Sequence, residues 1–210
     1  MFRYDIRPFN GHYLGNISNM AVHLTFNTGD TAGFTADILD ILQDTGVQAA
    51  FFVTREFVVA EPLLARRMKL EGHIVGSNGG SVRDMTTMTD SDIASFLQDK
   101  GQLFFNSTGQ HMDRYFRFPN GVYSMRTLRA VHEQGFRTAF WSLSHRDWDI
   151  YTQPGQTAAF NAVINNMHNG GILLLHTISE SNRDALADII ARVRFMGFEF
   201  LPLSDVRWSD

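Results

Sequence analysis

The sequence predicts an α/β fold, a parallel sheet or barrel within one domain, and three observations carry that expectation. One unit recurs: an amphipathic helix, a glycine, then a short apolar strand. It occurs at Asp44-Thr45-Gly46 before 47–53, Leu70-Glu71-Gly72 before 73–76 and Glu133-Gln134-Gly135 before 136–143. It returns at Asn169-Gly170-Gly171 before 172–176 and at Phe195-Met196-Gly197 before 198–203. The strand runs, such as Ala50-Phe51-Phe52-Val53 and Ile172-Leu173-Leu174-Leu175, are continuously apolar rather than alternating. Strands covered by helices on both faces have this composition. Between them, apolar residues repeat at helical spacing.

The elements follow in order. Residues 1–19 form an irregular lead-in, and 20–210 form the domain. Phe34-Ile38-Leu39-Leu42 marks the first helical stripe, Leu63-Leu64-Met68 another, and Leu186-Ile189-Ile190-Val193 the last. Thr89-Asp90-Ser91-Asp92 offers a capping-box start for a helix reaching about Phe105. A glycine just past a helix closes the last turn in the left-handed conformation. Strand and helix thus alternate through one domain. An open doubly wound sheet is the competing architecture, but its G-x-G-x-x-G nucleotide signature is absent after the first strand.

Composition narrows the function classes. The chain has 210 residues, 18 of them Phe, a net charge of −4 and no cysteine. Disulfides, zinc knuckles and thiol catalysis are therefore excluded. No basic stripe exists to neutralise phosphates, so no nucleic-acid partner is expected. No run approaches the roughly 18 apolar residues of a transmembrane segment. The first residues, Met1-Phe2-Arg3-Tyr4-Asp5, show no signal-peptide pattern.

In an α/β barrel, chemistry gathers where strands end. Those ends are Thr25-Phe26-Asn27-Thr28-Gly29, residues 77–82 (Ser-Asn-Gly-Gly-Ser-Val), Arg117-Phe118-Pro119-Asn120-Gly121, His145-Arg146-Asp147-Trp148 and Leu174-Leu175-His176. In order and interval the set resembles the five motifs of NodB-type polysaccharide deacetylases. It is most similar to the branch that deacetylates N-acetylmuramic acid residues in spore peptidoglycan. Tyr13-Leu14-Gly15-Asn16, Phe51-Phe52-Val53-Thr54, Glu71-Gly72-His73-Ile74 and Phe140-Trp141-Ser142-Leu143 extend the likeness over residues 12 to 205. The resemblance implies a distorted (β/α) barrel, a glycan or peptidoglycan ligand and a cell-envelope location.

It also implies a mechanism: water activated on a divalent metal, a carboxylate base and a histidine acid. The family's T-F-D-D-G pattern (T-F-D-N-G in the spore branch) supplies the base and one ligand, and H-[S/T]-x-x-H supplies two more. Here Asn27 and Thr28 stand at the first pair and Asn78 and Val82 at the second. An amide has no useful basicity near neutral pH, and valine has no donor atom. The expectation is therefore no metal cofactor and no base. By contrast, His176 falls on the general acid, Leu174 on the acetyl-methyl pocket and Asp147-Trp148 on the D-W motif. Within that motif pattern the aspartate partners the arginine of the third motif, here Arg117. Asn120 replaces the second arginine of R-P-P-R-G, with its backbone N–H at the oxyanion position and Trp148 on the groove wall.

Bland alternatives accompany each residue. Arg117 with Asp147 would serve equally as an ion pair joining two loops, and His176 as a hydrogen-bonded core histidine. A relocated metal site would draw on His23, His145, His176 and Asp147. His73 is expected to be structural, Trp141 to be packing, and Gly79-Gly80 to be a loop released from metal coordination. No G-x-S-x-G elbow is present, and only Asp147 among the strand-end groups is acidic, against a serine hydrolase or a two-carboxylate glycosidase. Two functions remain: a pseudoenzyme that binds a glycan or an active deacetylase relative, and an amide hydrolase working through His176 and Asp147.

Overall fold

In the computed structural model, residues 5–29, 31, 33–80 and 84–206 are described, so position 82, expected at the second motif, lies outside the described residues. Among the described residues, nine strands form one parallel sheet: β1 (Gly11–His12), β2 (Ala21–Thr28), β3 (Ala50–Val53), β4 (Ile74–Asn78), β5 (Tyr115–Arg117), β6 (Arg137–Ala139), β7 (Leu143–Ser144), β8 (Gly171–His176) and β9 (Glu199–Phe200). Seven helices alternate with them: α1 (Thr35–Thr45), α2 (Arg55–Ala60), α3 (Pro62–Leu70), α4 (Asp90–Thr108), α5 (Met125–Glu133), α6 (Gln156–Ile164) and α7 (Glu180–Phe195).

The strand order is β1-β6-β5-β4-β3-β2-β8-β7, with β9 beside the start of β2. This is the alternation the sequence predicts, and the path shows why the sheet must curl. β6 lies next to one end of that path and β7 is the other end, yet residues 140–142 alone join them. Three residues span little more than about 13 Å, so the two ends come near each other. The result is a half-barrel, the distorted barrel expected. The single strand predicted over 136–143 is accordingly two strands, each with its own neighbours: β5 and β1 for β6, and β8 for β7. A continuous apolar run carries no sign of a change of partner. Within 1–19, a two-residue strand is too short to display a period, yet β1 pairs with β6.

The period of two along β3 sorts the core. Phe51 packs outward among the helices, stacked on Phe26 at 5.2 Å, whereas Phe52 packs inward with Ala50, Ala139 and Ile172. Both rings are fully buried, and each contributes about 1.5–3 kcal/mol by leaving water. Helix ends follow the local signals. Thr89 and Asp92 form the predicted capping box of α4, which runs three residues beyond Phe105, and Gly46 (φ 64°) closes α1.

The parallel register then aligns the strand ends. Asn27 lies beside Phe52 on β3 and His176 on β8, and Asn78 lies beside Arg117. Neighbours in register project to the same face, so Asn27 and His176 share the interior mouth of the half-barrel.

Candidate active-site pocket

The mouth holds a pocket of about 380 Å³ lined by Asn27, Asn120, Trp141, Ser144, His145, Trp148, Leu174 and His176. Five of the eight are residues singled out in the sequence as base position, substrate contacts or acid. Trp148 is more than half exposed and meets the His176 ring edge-on at 6.1 Å, forming a wall open to solvent. Asn120 sits at φ 52°, ψ 14°, a left-handed conformation that asparagine tolerates better than most side chains. Leu174 forms the apolar part of the floor.

The acid side is tightly built. The His176 Nδ1 lies 2.7 Å from Asp147 Oδ1, and the His176 backbone N–H donates to Asp147 Oδ2 at 2.8 Å. Asn182 Nδ2 donates to the same Oδ2 at 2.6 Å and to the His176 carbonyl at 3.2 Å. His145 Nε2 donates in turn to Asn182 Oδ1 at 2.9 Å. Burial by itself would raise the Asp147 carboxyl. The hydrogen bond and charge of His176, helped by Asn182 and the nearby His145, hold it below the usual carboxylate range. An ionised Asp147 can only accept, so His176 carries its proton on Nδ1 and turns Nε2 toward the pocket.

Asn182 was missed in the sequence. It is fully buried in the first turn of α7, on the same stripe as Leu186, Ile189 and Val193. An amide on an apolar stripe, three residues after the capping Ser179, is the signal that marks it. Gln153 is a second such residue: its Nε2 holds the Asp147 and Asp149 carbonyls at 3.0 and 2.8 Å while its Oε1 accepts from Ser179 Oγ at 2.6 Å.

The base side differs in kind. Arg117 is entirely buried, and the expected Arg117–Asp147 ion pair does not form. Both Asp147 oxygens are occupied by His176 and Asn182, and Arg117 reaches from β5 across the interior to β2. It donates to Thr25 Oγ1 at 2.9 Å and Asn27 Oδ1 at 3.3 Å on β2, and to Ala139 O at 2.9 Å and Phe140 O at 3.2 Å at the end of β6. Its guanidinium lies 4.0 Å from the centre of the Phe52 ring. Every acceptor is neutral, and burial lowers its pKa to about 9, which leaves it charged at neutral pH.

Asn27 joins the two sides. Arg117 cannot accept, so Asn27 Oδ1 must face it, and Nδ2 then faces His176 Nε2 at 3.4 Å. Thr28 is buried, with a side-chain oxygen that meets no partner among the described residues. Asn78 Oδ1 accepts the Gly80 N–H at 3.2 Å. These neutral oxygens do not fit the one-Asp, two-His donor set of the resemblance. Among the described residues, no three His, Cys, Asp or Glu side chains are grouped to hold a metal. The alternative quartet is not assembled: His23 lies lower on β2, its Nδ1 3.0 Å from the Leu201 carbonyl, away from the pocket. Gly79 has a packing reason, since a Cβ there would fall 2.5 Å from Pro119 Cδ. His73 is structural, as expected: its Nδ1 accepts the Ala49 N–H at 3.2 Å inside the core.

The family profile described as polysaccharide deacetylase matches residues 15–139. The chain belongs to the polysaccharide deacetylase family. It is 36% identical to the peptidoglycan-N-acetylmuramic acid deacetylase PdaA of Bacillus subtilis over 204 residues, covering 97% of this chain and 78% of that one. The solved structure of Bacillus subtilis PdaA, a family 4 carbohydrate esterase, superposes with a TM-score of 0.91 and 37% identity over 96% of this chain and 86% of the other. A family 4 carbohydrate esterase pseudoenzyme from Bacillus anthracis shares the fold at a TM-score of 0.84, with 23% identity over 93% of this chain and 68% of its own.

Proposed function

We propose that this deacetylase-family protein binds an N-acetylated glycan of the peptidoglycan type in the mouth of its half-barrel without hydrolysing it. One observation carries the reading: the side chain at the base position is the amide of Asn27, with Oδ1 committed to Arg117 and Nδ2 directed at His176. Neither atom takes a proton from water near neutral pH, so the base position itself supplies no acceptor for the step that would create the nucleophile. The positions that would hold a divalent metal offer the neutral oxygens of Thr28 and Asn78, with valine at position 82. No metal cofactor enters this function. The partner is a cell-envelope glycan or an active relative acting on the same polymer. Trp148 supplies an apolar wall, and Asn120, Ser144 and His145 supply polar edges.

A second reading rests on the intact Asp147–His176 pair at 2.7 Å, which aims His176 Nε2 into the pocket, where, once protonated, it can donate to an amide leaving group. In that reading the protein is an active amide hydrolase.

Acetate release from N-acetylated chitooligosaccharides and from peptidoglycan, measured with and without added zinc, cobalt or manganese, decides between them. Binding without turnover predicts background release from both the wild type and His176→Ala. It also predicts no stoichiometric metal after dialysis, together with retained affinity for chitotetraose. Release that depends on His176, or tightly bound metal, would overturn the first reading in favour of the second.

A further inference from the structure

A second cavity, of about 550 Å³, lies outside the half-barrel. One wall is α4, and the other is made by the residues that lead into β5 and β6, so the cavity sits by the starts of those strands, whereas the mouth lies at strand ends. Its lining mixes two kinds of group. Leu97, Met112 and Phe136 supply apolar surface, and Gln98, Gln102 and Arg114 bring polar groups to the same space. Among the described residues that line it, none is acidic. Phe105 is 41% exposed and stacks on the His111 ring at 4.7 Å, which places an aromatic pair at the rim. Arg114 is fixed by its Nη1, which donates to the Gln134 carbonyl at 2.8 Å, and by the Phe136 ring, 5.6 Å from the guanidinium carbon. Its Nε and Nη2 meet no hydrogen-bond acceptor among the described residues. Gln102 Nε2 donates to Asn106 Oδ1 at 2.8 Å, which leaves Oε1 to accept.

Gly101 adds an independent sign of a ligand. It lies inside the 19-residue helix α4, on the cavity side, with an ordinary negative φ. Glycine is less favourable there than alanine, because it loses more backbone freedom on folding. Its neighbours do not demand it: a Cβ at this position would meet no atom within 4 Å. Packing within the chain therefore gives no reason for the missing side chain, whereas a ligand lying close over the α4 backbone does.

We infer that this cavity is a second sugar-binding site, in which an oligosaccharide lies over Gly101 with its apolar face against Phe105 and its hydroxyls bonded to Gln98, Gln102 and Arg114. Sugar hydroxyls donate and accept, as the glutamine amides do, and they can accept from the idle guanidinium donors. Apolar surface with a few convergent polar groups is the usual make-up of a small-ligand site. The inference goes beyond the reading of the mouth and does not rest on it. A polymer long enough to reach both sites would be held at two points, which raises its effective concentration at the mouth without a new contact there.

The test follows the backbone amides of the whole protein by proton–nitrogen correlation NMR during titration with chitotetraose. In the wild type, signals of residues 98–105 and 111–114 should shift, separately from those of 145–148 and 174–176 at the mouth. Gly101→Leu fills the cavity with a good helix former and should weaken the binding seen at α4 at least about tenfold, with the mouth signals unaffected. Phe105→Ala, at an exposed position, should weaken the same binding without touching the helix backbone. Gly101→Ala should raise Tm by about 2 °C. Absence of shifts at α4, or equal affinity in the wild type and both cavity variants, overturns the inference. A fall in Tm for Gly101→Ala does so too, because the glycine would then serve packing. Shifts at α4 that grow with protein concentration and ignore the sugar would give the cavity to a second copy of this chain, and also overturn it. Shifts at α4 without shifts at the mouth would leave this site standing and remove the glycan reading of the mouth.

Discussion

The two sides of the pocket mouth are built from opposite charges. On the β8 side, one buried carboxylate, Asp147, is surrounded by donors from His176 and Asn182. On the β2–β5 side, two buried cations rest on neutral oxygens: Arg117 as described, and Lys100 of α4, whose Nζ donates to the Val53 carbonyl at 2.6 Å and to the Asn78 carbonyl. The first side is electrostatically complete and keeps the geometry of a proton donor. The second is a cationic frame around the strand-end positions of Asn27 and Asn78. A folded interior can therefore hold buried cations, provided that carbonyls, hydroxyls and ring faces take up their hydrogen bonding.

The largest expected effect tests that substitution of partners directly. Arg117→Ala removes a side chain that satisfies four oxygens and fills the space against Phe52, and should cost about 3–5 kcal/mol in urea-induced unfolding. If the loss is below about 1 kcal/mol, the cationic frame is not what holds β5 to β2.

Next comes pH dependence, where the two sides should respond in different pH ranges. Burial lowers the Lys100 pKa from 10.5 to about 7. Between these values the unfolded chain takes up a proton that the native protein does not. Stability should therefore fall as pH drops from about 10.5 to 7, by about 3–5 kcal/mol, and level off below. Lys100→Met should flatten that slope, measured as unfolding free energy against pH. An unchanged slope would assign it to other groups.

The smallest effect probes the acid side. Asn182→Ala removes one donor from the Asp147 carboxylate and from the His176 carbonyl, at a cost of about 1–3 kcal/mol. The Asp147 pKa is depressed, so the stability it contributes is present above about pH 4 and is lost as pH falls through its native value. The difference between wild type and Asn182→Ala should shrink in that same acid range. A constant difference at all pH values would mean that the amide serves packing alone.

The sequence alone carried the α/β class, the helix caps and the strand-end positions, because these depend on local chemistry: glycine's access to positive φ, the capping hydroxyl of Thr89, and the continuous apolar runs of doubly covered strands. It carried the identities at 27, 28 and 78, and with them the chemistry those side chains can offer. What it could not contain is who faces whom. The splitting of 136–143 into β6 and β7, the register that sets Asn27 against His176, and the turn of Arg117 away from Asp147 are all set by the curl of the sheet. Asn182 joined the site only because α7 docks its first turn against β8. Residue chemistry is a local property legible one position at a time, whereas pairing between distant positions is decided by the competition of whole strands and helices for the same core.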